Sequence, residues 1–272
     1  MGGMQTEEKI MHASIEKIRA DYQTVMDRIR SIHIKPFPGL PEPLFLISNA
    51  YPGVWLEHVY DAIAWAELEP SMANVARAQV KLFLDNQKED GQLPCYVLDS
   101  SNPSTKNYRH LFGYGQIQEC VSFTRLCLEA SLLTKDEALL KESYEKCVKW
   151  DEWLVRNRMT LGRGLIEMFG VFDTGHDNSA RFPGIPGGCP GGAAHCNPNP
   201  ELPLICPDMN AVFYGSRTAL AEMADLLGRP EEAAAWREKA ADVKRRLKEI
   251  CYCKEDDFYY DADRFGNMRK SK

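Results

Sequence analysis

At 272 residues the chain is long enough for one large domain or two small ones. Hydrophobic residues make up 44% and charged residues 26%, the balance of a soluble globular protein with ample core material. A net charge of -6 and a pI near 5.6 argue against a nucleic-acid surface, which needs concentrated Lys and Arg.

No apolar run approaches the roughly 20 residues that cross a bilayer, so no membrane contact is expected. The first residues lack the charged start and apolar stretch of a secretory signal, although Met1-Gly2-Gly3-Met4-Gln5-Thr6 fits the loose myristoylation pattern. Nine cysteines, an odd count, then predict reduced thiols and a cytoplasmic location.

Helical periodicity dominates. An amphipathic segment runs from about Glu7 to Ile32 and ends before the Pro-rich stretch Pro36-Phe37-Pro38-Gly39-Leu40-Pro41. A helix is predicted from about Val54 to Leu68, with Val59, Ile63 and Ala66 on one side. Ser71 is placed to cap the next, which carries Met72, Val75, Val80 and Phe83 and stops before the turn signal Asp90-Gly91. Another covers about Gln116 to Leu133. Thr134 and Glu137 have capping-box spacing for a helix striped by Leu140, Tyr144, Cys147, Val148 and Leu154. Asp208, after Pro207, is placed to cap a helix ending at Gly228, and Pro230 opens one with Trp236, Ala240, Val243 and Leu247.

The prediction is an all-α chain of about seven helices in antiparallel pairs, with one short strand region at Cys251–Tyr260. Two long irregular stretches, about 89–113 and 162–207, interrupt the helices, and loops of that length are often functional.

The second stretch holds Asp173-Thr174-Gly175-His176-Asp177-Asn178-Ser179-Ala180-Arg181-Phe182. Carboxylates, amide and guanidinium can each make directional hydrogen bonds to sugar hydroxyls, and a partly desolvated carboxyl can protonate a glycosidic oxygen. Read from the residues alone, Asp177, Asn178 and Ser179 serve equally well as an Asx-type turn. Trp55-Leu56-Glu57-His58 could supply a stacking face with hydroxyl ligands, or simply core and helix-start chemistry. Asn86-Gln87, at a helix end, favour capping. Cys189, His195, Cys196 and Cys206 invite a zinc reading, but the close ligand pairs of zinc sites are missing, so no metal and no cofactor is expected. Cys251 and Cys253 read as buried thiols.

Four segments together carry a family resemblance. Trp55-Leu56-Glu57 leading into Ala64-Trp65-Ala66-Glu67-Leu68-Glu69-Pro70 resembles a motif of glycoside hydrolase families 63 and 37, which include processing α-glucosidase I, the mannosylglycerate hydrolases and trehalase. Asn86-Gln87 with Asp90-Gly91-Gln92-Leu93-Pro94, the string Asp173–Arg181, and Asp208-Met209-Asn210-Ala211 with Leu220–Gly228 resemble three further motifs in the same order. The resemblance implies an (α/α)6 toroid, an inverting mechanism and an α-linked oligosaccharide or small glycoside as substrate. It puts Asp177 in the general-acid position and Trp55, Glu57, Asn86, Gln87, Arg181, Asp208 and Asn210 near the sugar. His58, Gln116, Asp173, His176 and Asn178 complete the candidate substrate ligands. Glu57 stands where Asp is usual, Asp173 where Glu is usual, His176 where an apolar or aromatic residue is usual, and Ala180 where Pro is usual.

Residues 1–35 are expected to form an N-terminal helix and 36–272 the first part of a glycosidase domain. Seven helices do not build a twelve-helix toroid, and the family's general base has no counterpart before Lys272. The expectation is therefore a chain with the acid half of the machinery, self-associating or completed by a second chain. A carbohydrate-binding fragment without turnover and a helical-repeat scaffold are the alternative readings; the 34-residue period and short loops of such repeats are missing.

Overall fold

The computed structural model describes residues 2–47, 51–119, 122–188 and 199–270, with side chains from residue 14 onward. Seven α-helices are present among them: α1 (Gly2–His33), α2 (His58–Leu68), α3 (Ala73–Asp85), α4 (Phe123–Thr134), α5 (Glu137–Arg158), α6 (Pro207–Leu226) and α7 (Pro230–Cys251). From α2 onward they form three successive hairpins. α4 packs on both α2 and α6, while α3 touches α2 and α4, and α5 touches α4 and α6. That pattern makes an arc of a toroid, with α2, α4 and α6 inside and α3, α5 and α7 outside.

The hairpin joints follow the local chemistry. Between α4 and α5, Lys135 turns through the left-handed region (φ 53°) and Asp136 caps α5 by accepting from Leu139 N at 2.9 Å. Thr134 does not cap; its hydroxyl donates to Ala130 O at 2.7 Å. Gly228 (φ 71°) and Pro230 make the joint between α6 and α7. Ser71 lies inside a tight turn, Pro70–Met72, before α3 instead of capping it. α6 starts at Pro207 with Cys206 as its N-cap, so Asp208 falls in the first turn.

Among the described residues, three small antiparallel sheets pin the loops. β1 (Ile34–Lys35) pairs β2 (Leu44–Phe45), and β6 (Tyr252–Cys253) pairs β7 (Phe258–Tyr259), the latter inside the expected strand region. β3 (Gly53–Trp55), β4 (Tyr96–Leu98) and β5 (Phe112–Gly113) form the third, with Val54 opposite Val97 and Val97 opposite Phe112. Val54 and Trp55 are therefore strand, not helix. A side chain at Gly53 would meet Val97 O at 2.3 Å, so only glycine allows this pairing.

One apolar core runs through the arc, with Leu56, Ile63, Phe83, Leu84, Phe123, Tyr144 and Phe213 all below 3% exposed. Each such Leu or Phe contributes about 1.5–3 kcal/mol. A smaller cluster of Phe45, Ala62 and Val75 seats the end of α1 through Ile29. The inner helices all begin at one end of the arc, where segments 51–57, 86–119, 159–188, 199–206 and 252–270 also gather. No helix among the described residues is long and apolar enough to cross a membrane.

Candidate active site

The 170–188 segment is an Ω-like loop closed at its neck. Val171 N donates to Pro186 O (3.0 Å) and Phe172 N to Gly187 O (2.8 Å). Asp173, just inside the neck, is 1% exposed and accepts from Arg158 Nη1 (2.5 Å), Phe169 N (2.8 Å) and Ile117 N (2.9 Å). Its own carbonyl accepts from Glu119 N at 2.7 Å. One buried carboxylate thus fastens the loop to segment 116–119 and to the end of α5.

The far side of the loop is tied by Arg181. Its guanidinium bonds Asp208 through two N–H groups at 2.8 Å each, and Asp261 through Nε (2.8 Å) and Nη2 (2.7 Å). It also lies 4.7 Å from the Phe182 ring centroid. Burial works against the charges of Asp208 and Arg181, but the paired hydrogen bonds outweigh it. They hold Asp208 below the usual carboxylate range and keep Arg181 firmly protonated. His176 Nδ1 stands 3.3 Å from Asp208 Oδ2.

Between these two anchors, Asp177 and Asn178 occupy the tip of a turn closed by Ser179 N donating to His176 O at 3.0 Å. Gly175 supplies the positive φ (72°) that starts it. Both tip side chains are exposed, and neither has a hydrogen bond among the described residues. Ser179 does shape the turn, accepting from Arg181 N at 3.3 Å. The tip carboxyl is thus presented outward on a doubly anchored support.

Next to the loop lies a cleft of about 990 Å³ lined by Lys88, Gln92, Tyr96, Arg109, His110, Tyr114, Gln116 and Gly188, among others. Its β-sheet wall carries an aromatic cluster, in which the Trp55 ring is 4.9 Å from Tyr51, 5.4 Å from Tyr96 and 6.1 Å from Tyr108. No Asp or Glu lines it among the described residues.

The model of the mannosylglycerate hydrolase MGH1-like glycoside hydrolase domain matches residues 51–269. The chain belongs to this family. A solved structure of an uncharacterised conserved protein from Thermus thermophilus is similar at a TM-score of 0.62 and 14% identity, over 92% of this chain and 68% of that one. The glycoside hydrolase family 63 mannosylglycerate hydrolase from the same organism, in complex with Tris and D-glycerate, gives a TM-score of 0.61 at 15% identity, over 82% and 65%. Its complex with glucose gives 0.61 at 17%, over 93% and 68%. At such identities the likeness establishes the fold, an all-α toroid of the (α/α)6 type. The chain spans about two thirds of the length of these structures. No curated protein matches it.

Within this glycoside hydrolase domain the sequence-derived candidates fall in different places. His176, Asp177, Asn178, Arg181 and Asp208 come together at the loop. Trp55 and Gln116 border the neighbouring cleft, Trp55 through its contact with Tyr96. Glu57 sits at the start of α2, 3.8 Å from His58 Nε2 and open to solvent on one side.

Five expected ligands do other work. Asp173 is consumed by the donors above. Asn210 is fully buried and spends its amide on Ile166 N and O and on Cys206 O, stitching α6 to the preceding loop. His58 is 2% exposed, accepts from Trp55 N at 3.3 Å, and is pushed down by burial to a pKa of about 4, so it is neutral at pH 7. Asn86 donates to Leu82 O, the capping role its sequence position favoured, whereas Gln87 donates to Gly91 O and Lys146 O and ties the turn to α5.

The zinc reading falls largely outside the described residues, since Cys189, His195 and Cys196 are not among them. The fourth, Cys206, lies near Asp208 and Asp261, with ligand atoms within 4.8 Å. Both carboxylates are already committed to Arg181, and burial pushes the Cys206 thiol up. That set favours an ion-pair network over a cation.

Three contributors carried no local sequence signal: Asp261, Arg158 and Glu119. Glu119 is 3% exposed, and burial raises its carboxyl to about 8 against the pull of the Trp150 indole and the Arg158 charge. In the unfolded chain it ionises near 4.5. The folded state therefore holds the extra proton from that pH upward, and its stability falls as pH rises until about 8. At about 1.4 kcal/mol per pKa unit the effect is on the order of a few kcal/mol. Glu119→Gln keeps an acceptor for Trp150 without the ionisation. Thermal unfolding at about pH 5 and pH 8 is expected to show the variant matching the parent at the lower pH and melting several degrees higher at the upper.

Proposed function

We propose that this domain cleaves α-glycosidic bonds with inversion, with Asp177 as the general acid. The observation that carries the reading is the presentation of Asp177: its carboxyl is exposed and spends no hydrogen bond on a loop anchored by both Asp173 and the Arg181–Asp208–Asp261 network. Membership of the glycoside hydrolase family supports it. Such an acid works protonated, a state that water exclusion by a bound sugar favours. The Trp55 cluster offers an aromatic face for a sugar ring, and Gln116, His176 and Asn178 offer donors and acceptors for its hydroxyls.

An inverting enzyme needs a second carboxylate roughly 6.5–9.5 Å away, on the opposite sugar face, to activate water. No carboxylate lines the cleft among the described residues. The base is accordingly assigned to helices beyond these residues, on the same chain or on a second one completing the toroid. By itself the present chain binds sugar and turns it over poorly. The domain division proposed is α1 as a separate N-terminal element and one catalytic unit thereafter. The six unpaired cysteines among the described residues suit a reducing, cytoplasmic setting.

Two measurements test this. Calorimetry with small α-glucosides and α-mannosides should detect binding that Asp208→Ala weakens. The anomer released on hydrolysis, read by NMR, should be the inverted one. A retained anomer overturns the mechanism, and full turnover by these 272 residues alone overturns the assignment of the base.

A further inference from the structure

Among the described side chains, those that seat helix α1 on the body lie in its last turns. Arg30 pairs with Glu69, His33 Nδ1 meets Leu46 O at 2.7 Å, and Ile29 joins the small cluster at Phe45. Residues 14–25, by contrast, are exposed on every side. Yet this free stretch is not polar all round. Ile15, Ile18, Tyr22 and Val25 are 44%, 67%, 47% and 53% exposed, and Ile29 and Ile32 continue the row. The spacing runs 3, 4, 3, 4, 3, which is the narrow seam of a coiled coil and not the broad stripe of a helix packed on a globular core.

We propose that α1 pairs with α1 of a second copy of this chain, antiparallel, about a two-fold axis between Tyr22 and Val25. The flanking charges select both partner and register. Asp21 and Arg28 sit beside the seam two turns apart, and neither has an ion-pair partner within the chain among the described residues. The chosen axis sets Tyr22 against Val25 of the other copy and Ile18 against Ile29, which the Phe45 cluster leaves partly exposed, and brings each Asp21 beside the opposite Arg28. Sliding the pair one layer, to an axis between Ile18 and Tyr22, would oppose Asp21 to Asp21 and Arg19 to Arg19. Complementarity is thus satisfied twice in one register and violated twice in the next. The contact is isologous, as a closed dimer requires. Its roughly 18 residues span only about 27 Å, so a modest, concentration-dependent dimer is the expected product. The inference is independent of the glycosidase reading.

Sedimentation velocity on the 272-residue protein, from about 1 to 100 µM, is the test. The expected result is a shift from 30.9 kDa towards twice that mass. Ile18→Asp and Val25→Asp should each move the midpoint at least about tenfold upward while leaving the melting of the body unchanged, because both residues stand clear of it. Asp21→Arg alone and Arg28→Asp alone should each weaken self-association, and an equimolar mixture of the two should restore it as a heterodimer. A parent that stays monomeric throughout, or a dimer indifferent to Ile18→Asp, overturns the proposal. A mixture no tighter than its components overturns the antiparallel register.

Discussion

Replacing Asp173 by alanine is expected to cost about 3–5 kcal/mol of folding stability, the range for breaking a buried ion pair from one side. Arg158 is fully buried, and its Nε and Nη2 lack hydrogen-bond partners among the described residues, so its charge depends on Asp173 and on the Phe169 ring 4.2 Å away. The substitution also orphans the N–H groups of Ile117 and Phe169. For a chain of this size the melting temperature should fall by on the order of 10 °C. Asp173→Asn keeps an acceptor of the same shape and should lose less. Adding Arg158→Met to Asp173→Asn should recover part of the loss, because the unpaired charge goes with it. Urea unfolding of the two singles and the double checks all three; a deficit below about 1 kcal/mol in Asp173→Ala would mean that water reaches Arg158.

The same residue explains where sequence reasoning reached and where it stopped. Helices α3, α5, α6 and α7 were legible because their apolar stripes are local, although Ser71, Thr134 and Asp208 are not the caps expected of them. The start of α4 was not. Helical spacing from Gln116 looked adequate, yet segment 116–119 is held out of the helix by Asp173, more than fifty residues away, and α4 begins only after its Ser122 cap. Strand β3 was missed for a related reason: Val54 and Trp55 fit a helix until Val97 and Tyr96 are available to pair with them. At the site, Arg181 and Asp208 were legible as members of recognisable motifs, whereas Asp261 lies outside any motif and joins them only in three dimensions. Asp173 and Asn210 were legible as polar residues among apolar ones, but that pattern fits a sugar ligand and a buried staple equally. Burial separates the two, and burial is not written locally.

Asp177→Asn is expected to lower turnover of an unactivated α-glycoside by about 10²–10⁴, the usual contribution of a positioned general acid. On the proposal that the second carboxylate lies on helices beyond these residues, the measurement belongs on the chain extended by, or mixed with, those helices, where turnover is expected to be fast enough to compare. Asparagine keeps the size and polarity of the side chain, and Asp177 makes no hydrogen bond within the loop among the described residues. The neck bonds at Val171 and Phe172 and the Arg181 bridges are therefore left as they are, and the melting temperature should not move. What is lost is the proton for the departing oxygen. A glycosyl fluoride leaves without one, so the variant should retain most of its rate on that substrate, while loss of the base would abolish both reactions. The ratio of the two rates thus reports protonation separately from folding and binding. Equal losses on both substrates would make Asp177 a sugar ligand, and no loss on either would return it to the role of a turn residue.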